Sequence, residues 1–129
     1  MAFKILKSFA KINLALNVIK KTSYLHIIES LIAFIDLNDL IYIKKINSDK
    51  HQIEFNGKFS NGINKKNTIS DLLKILEDKK ILKNKKFIIK IKKNIPHKAG
   101  LGGGSMNAAT ILKSFIDKRI INISKKQLL

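Results

Sequence analysis

Four of the six glycines in this 129-residue chain fall within residues 100–104, in the run Pro96-His97-Lys98-Ala99-Gly100-Leu101-Gly102-Gly103-Gly104-Ser105. Before it, Phe87, Ile89, Ile91 and Ile95 share one parity, as on one face of a strand, and Pro96, the only proline, ends that segment. After it, Ala108, Ala109, Ile111, Leu112, Phe115 and Ile116 recur at helical spacing from Ser105 onward. Residues without Cβ can take positive φ and bring their N–H groups close to an anion, and the free amides of a following helix add partial positive charge. A glycine run on its own reads equally as a plain connection; the strand-loop-helix setting favours a phosphate cradle. Ser105 can cap the helix or offer its hydroxyl to a phosphate or Mg²⁺. The spacing is not that of a Walker loop, and Ser105 stands where a dinucleotide fingerprint needs its third glycine.

The rest of the chain reads as strands first. Phe3–Phe9 is a short strand, and Ile12, Leu14, Leu16 and Val18 then alternate with Lys11, Asn13, Ala15 and Asn17. After a polar turn at Lys20–Ser23, Ile27–Ile35 is a mostly buried strand, closed by Asp36-Leu37-Asn38-Asp39, with Leu40–Ile46 as a hairpin partner. Ile53–Phe55 is a further strand bounded by the turn dipeptide Asn56-Gly57, and 57–67 is loop. Ile69, Leu72, Leu73, Ile75 and Leu76 describe a first helix with Asn67 or Thr68 as its cap, and Ser124 reads as the cap of a last helix over 125–129. The order predicts an α+β fold with an antiparallel or mixed sheet.

Composition narrows the function. At 45% hydrophobic content the chain supports one domain with a core, and its longest apolar run, Leu31–Ile35, is far below the ~20 residues of a membrane span. No secretory leader pattern opens it. Cysteine is absent and the three histidines are not at i, i+4 spacing, which speaks against a zinc site and fits a reducing cytoplasm. The net charge is +17, yet 25 of the 26 basic residues are Lys, and Lys, Ile and Asn make up 61 of 129 residues, spread evenly. Such a bias reads as solvated decoration rather than a nucleic-acid surface, which favours Arg for its bidentate fork.

The run from Pro96 through Gly-Leu-Gly-Gly-Gly-Ser-Met-Asn-Ala-Ala-Thr closely resembles the ATP loop of the GHMP kinases. With Ser8-Phe9-Ala10-Lys11-Ile12-Asn13-Leu14 and the segment from His26 to Phe34-Ile35-Asp36-Leu37-Asn38-Asp39, it is similar to the 4-diphosphocytidyl-2-C-methyl-D-erythritol kinase family within that superfamily. Asn67-Thr68-Ile69 also resembles the family pattern, less specifically. Leu25 stands where the family has a stacking Tyr, Lys98 where it has Gly, and Met106 where it has a second Ser.

The resemblance implies a fold like the second domain of ribosomal protein S5, and phosphoryl transfer from ATP, with Mg²⁺, to the C2 hydroxyl of a cytidine-diphosphate-linked methylerythritol in non-mevalonate isoprenoid biosynthesis. It implies Lys11 as catalytic and Asn13 and His26 as substrate contacts. The ATP loop would be Pro96, His97, Lys98, Ala99, Gly100, Leu101, Gly102, Gly103, Gly104, Ser105 and Met106. It further implies that residues 1–129 are an N-terminal ATP-binding domain without the family's catalytic Asp or its C-terminal domain, so that this stretch alone has little or no kinase activity. The expected partner is a small molecule, with neither nucleic acid nor membrane. Two other readings stand beside it. One is an S5-like basic domain gripping RNA, for which one Arg, two Tyr and no Trp give thin support. The other is an inactive kinase piece.

Overall fold

The structure, a computed structural model, describes residues 2–21, 26–96 and 103–123, with the side chains of these apart from 12–35 and 103. The centre of the glycine run, part of the turn after Lys20 and the helix expected after Ser124 lie outside the described residues.

Strands β1 (Lys4–Lys21) and β2 (His26–Ile46) form one long antiparallel ribbon, paired from Lys4 opposite Ile43 to Lys21 opposite His26 with register shifts after Phe9, Asn13 and Val18. The two pieces expected before Val18 are therefore one strand. They are joined across a register shift between Phe9 and Lys11, where fully buried Ala10 is the one β1 residue set against three of β2, residues 35–37. The expected close at Asp36–Asp39 is also corrected, since β2 continues through it: the irregularity lies at residues 35–37, and pairing holds at Asn38 opposite Phe9 and Asp39 opposite Ser8. Asp and Asn favour turns because they can bond their own backbone. Here the Asp39 carboxylate is taken up by groups from elsewhere in the fold.

Strand β3 (Gln52–Asn56) lies parallel to β4 (Lys86–Lys92), which pairs antiparallel with β2, giving the order β1-β2-β4-β3. A parallel pair needs a crossover, and α1 (Thr68–Asp78) supplies it. Its cap is Asn67: Oδ1 accepts from the N–H groups of Ile69 and Ser70, both at 3.0 Å, while the Ser70 hydroxyl accepts the Asn67 N–H at 2.8 Å. Helix α2 (Gly103–Asp117) begins two residues before Ser105. The parity read from the sequence sets the core: Ile41 and Ile43 from β2 and Phe87, Ile89 and Ile91 from β4 meet Ile69, Leu73 and Leu76 of α1 and Ile111 and Phe115 of α2. On the opposite parity, Lys44 and Lys90 place their ammonium groups over the Phe3 ring, 5.4 and 5.2 Å from its centre.

His51 ties the entry of β4 to the end of α1. Its Nδ1 accepts the Phe87 N–H at 3.1 Å, and its Nε2 lies 2.7 Å from Glu77 Oε1, close but without hydrogen-bond alignment; Lys86 donates to the same oxygen. Burial holds the His51 pKa below the usual histidine value, against the opposing pull of Glu77, and the bond from Lys86 holds Glu77 below the usual carboxylate range. In both cases the unfolded chain takes up protons before the folded one, so stability falls with acidification. We expect unfolding midpoints to decline first as pH drops below ~6.5, the ordinary histidine value, and again below ~4.3, the ordinary glutamate value. His51→Gln should flatten the first step of a urea-unfolding series across pH 5 to 8; an unchanged slope there would remove His51 from this account.

Candidate active site

Helix α2 starts at the exit of the glycine run with Gly104 and Ser105 exposed and no acidic residue in its first turn. A helix start leaves N–H groups without intrahelical partners, and no carboxylate of this first turn competes for them, the arrangement that receives an anion. Thr68, the first residue of α1, donates its hydroxyl to the Gly104 carbonyl at 3.0 Å, so the two helices are tied together at their N-terminal ends. On the strand side, half-buried Pro96 borders a cavity of about 720 Å³ that Leu37 and Phe59 line with apolar surface and Lys58 and Lys92 with charge. A separate cavity of about 460 Å³ opens at the other end of the sheet, beside Phe87 and the C-terminal end of α2, away from this site.

Beneath the exposed start of α2 lies a buried polar cluster that sequence reasoning missed. Asp39 and Ser8 are fully inaccessible, Asn107 is 1% exposed and Lys93 3%. Lys93 Nζ donates to Asp39 Oδ2 at 2.5 Å and to Asn107 Oδ1 at 2.8 Å. Asn107 Nδ2 donates to Ser8 Oγ at 2.9 Å and to Asp39 Oδ2 at 3.0 Å. The other Asp39 oxygen accepts the N–H groups of Asn94 and Ile95 at 2.7 and 2.9 Å. One carboxylate thus receives four donors, and β1, β2, the exit of β4 and the first turns of α2 converge on it. The backbone of Lys93 is held as well, its N–H by the Asn56 carbonyl at 2.7 Å and its carbonyl by the Phe59 N–H at 3.3 Å, across the turn made by Gly57. The signals were positional: Lys93 has the parity of Phe87, Ile89 and Ile91, and Asn107 lies four and eight residues before Ile111 and Phe115.

Of the residues expected from the sequence, Lys11 sits half-buried in β1 opposite Phe34, just past the register shift that follows Phe9. Asn13 and His26 lie on β1 and β2, opposite Ile32 and Lys21, with their side chains outside the description. Of the glycine-run residues and their neighbours, Pro96 lies after β4, Gly103 opens α2, and Gly104, Ser105 and half-buried Met106 follow in its first turn; residues 97–102 lie outside the described residues. Among the described residues no cluster of three His, Cys, Asp or Glu forms a metal site, and no helix is long and apolar enough to cross a membrane.

Comparison with known proteins bears on this arrangement directly. Residues 67–129, which include α1, β4, the glycine run and α2, match the GHMP kinases N terminal domain. The chain is 63% identical over 124 residues, 96% of its length, to the 4-diphosphocytidyl-2-C-methyl-D-erythritol kinase of Pelagibacter ubique, covering 44% of that protein. It is 38% identical over 113 residues, 87% of its length, to the kinase of the same name from Clostridioides difficile, covering 38% of that one. It spans less than half the length of these curated relatives. In fold it is similar to a crystal structure of 4-(cytidine 5'-diphospho)-2C-methyl-D-erythritol kinase, with a TM-score of 0.70 at 24% identity over 94% of this chain and 42% of that one. A phosphomevalonate kinase from Streptococcus pneumoniae shares the fold more distantly, with a TM-score of 0.56 at 15% identity over 96% of this chain and 37% of that one. Residues 67–129 thus match the GHMP kinases N terminal domain, and the chain as a whole is similar in sequence and in fold to the N-terminal part of 4-diphosphocytidyl-2-C-methyl-D-erythritol kinases.

Proposed function

We propose that residues 1–129 serve as the N-terminal, ATP-binding part of a kinase that phosphorylates the C2 hydroxyl of 4-diphosphocytidyl-2-C-methyl-D-erythritol. The observation that carries this reading is the strand-glycine-helix connection, opening on an α2 first turn that is exposed and free of acid, in a chain 63% identical to a kinase of that name. In such a site catalysis is chiefly positioning plus stabilisation of developing charge. The first-turn amides of α2 hold phosphate oxygens, and the Ser105 hydroxyl adds a side-chain donor to them. Lys11, on the strand that also carries Ser8, supplies an ammonium group that stabilises the accepting alkoxide and the transferring phosphoryl group. Asn13 and His26, on neighbouring strands of the ribbon, are the contacts for the cytidine-linked alcohol.

The N–H groups of α2 suit phosphate oxygens and not a metal, so Mg²⁺ would arrive with the nucleotide phosphates and take the Ser105 hydroxyl as its protein oxygen. When bound there, Mg²⁺ neutralises phosphate charge. A small charged substrate and ATP place the reaction in the cytoplasm, which the cysteine-free sequence fits.

Calorimetric titration of the chain with MgATP tests the reading. Binding should be abolished by Gly103→Val, which adds bulk at the helix entrance, and retained in Lys11→Ala, whose role is in the transfer step. Absence of binding to the folded wild-type chain at millimolar MgATP would count against the cradle. Equal loss in both variants would move Lys11 from catalysis to nucleotide binding.

A further inference from the structure

The buried cluster is costly as a source of stability, since taking a carboxylate and an ammonium group out of water consumes most of their attraction. Its placement suggests another use. Asp39 Oδ1 grips the backbone at Asn94 and Ile95, immediately before Pro96. Asp39 Oδ2 and Lys93 grip Asn107, two residues beyond Ser105. Asn107 is anchored in turn to Ser8, three residues before Lys11 on β1. One group of opposite charges and hydrogen-bonded partners thus joins the strand exit, the start of α2 and the strand that bears Lys11. Fully satisfied buried networks specify a single arrangement because any partial opening leaves a group unpaired in low dielectric.

We infer that Ser8, Asp39, Lys93 and Asn107 form a clamp that fixes Asn94 and Ile95 relative to the start of α2 at Asn107, and so act as positioning residues for the anion received at that helix start. The nature of that anion rests on the kinase reading; the clamp itself does not.

The test uses the full 129-residue chain, with Asn107→Ala as the variant and Leu76→Ala, in the core at the far end of α1, as a control for simple loss of stability. Asn107→Ala leaves the two Asp39 Oδ1 bonds in place. If the clamp transmits across the cluster, amide exchange at Asn94 and Ile95 rises at least tenfold over the change at Ile89 and Ile91, and the Kd for MgATP weakens at least tenfold. Leu76→Ala should raise exchange evenly and change Kd less than twofold. Even exchange in Asn107→Ala, or equal weakening of Kd in both variants, overturns the proposal. Inorganic tripolyphosphate is titrated in parallel. If the wild type binds it but not MgATP, the nucleotide reading fails, while a tenfold loss with Asn107→Ala still supports the clamp; binding of neither overturns the positioning role. Should Asn107→Ala fail to fold, Ser8→Ala removes one acceptor only and should shift the same readouts about threefold; no shift overturns the proposal.

Discussion

Gly57→Ala is expected to lower the midpoint of thermal unfolding by more than about 10 °C, although Gly57 is exposed. Its φ is 96°, in the left-handed region that costs an L-residue about 1–2 kcal/mol. A Cβ at this position would stand 2.7 Å from the carbonyl oxygen of Lys93 and 2.9 Å from its nitrogen, and both are backbone atoms that cannot swing aside. Relief requires the turn to lift off Lys93, loosening the 2.7 Å bond from the Lys93 N–H to Asn56. A net backbone hydrogen bond is worth about 1 kcal/mol, and the Lys93 ammonium group, held in a buried ion pair, resists the shift further. Strain and the loosened bond come to roughly 2–3 kcal/mol, and the resistance of the ion pair adds to that. Gly62 supplies the control: its φ of 82° is also left-handed, but no close contact crowds its Cβ position, so Gly62→Ala should cost only about 1–2 kcal/mol. Calorimetric scans of the two variants decide the matter. Similar losses would mean that backbone strain alone, without the contact to Lys93, explains the glycine.

The contrast between these glycines shows what periodicity can reveal and what it cannot. Asn56-Gly57 was legible as a turn, because the dipeptide suits positive φ. That the turn closes onto Lys93 depends on β3 lying parallel beside β4, a pairing between segments about 35 residues apart that no local pattern encodes. The core was readable for the same reason the turn was: Phe87, Ile89 and Ile91 alternate, and Ile69, Leu73 and Leu76 recur at helical spacing, so each element declares its buried face.

The buried polar cluster inverts those signals. Asp39 sits in a stretch of Asp and Asn that reads as a strand end, and strand β2 continues only because β4's exit and α2 satisfy its carboxylate. Lys93 has the parity of a core residue in a chain with 25 lysines, where a lysine carries almost no positional information. The glycine run and Lys11 were visible by contrast, the first because glycine is scarce outside the run and the second only through resemblance to a family. The framework that sets the site is therefore less legible than the site, since its members are defined by partners on four different elements.

The buried pair yields the second large effect, and its asymmetry is the informative part. Lys93→Met removes the ammonium group while keeping most of its apolar length, and leaves Asp39 with three of its four donors, from Asn94, Ile95 and Asn107. Asp39→Ala strips partners from Lys93, Asn107 and two backbone N–H groups at once, leaving an unpaired charge in a site of almost no exposure. Breaking a buried pair from one side typically costs about 3–5 kcal/mol, and Asp39→Ala should lie at or above the top of that range, with Lys93→Met near or below the bottom. Asp39→Asn keeps an oxygen for the N–H groups of Asn94 and Ile95 but turns an amide toward the Lys93 ammonium group, so it too should be costly. Combined with Lys93→Met, the same change leaves a neutral pair without a stranded charge. The double variant should therefore be more stable than the sum of its parts predicts by at least about 1 kcal/mol, a coupling of the size expected for groups in direct contact. Urea unfolding of the four variants measures this. Equal costs for Asp39→Ala and Lys93→Met would mean that the ion pair, rather than the four-donor carboxylate, holds the strand exit to α2; simple additivity in the double variant would mean that the two charges do not act as a unit.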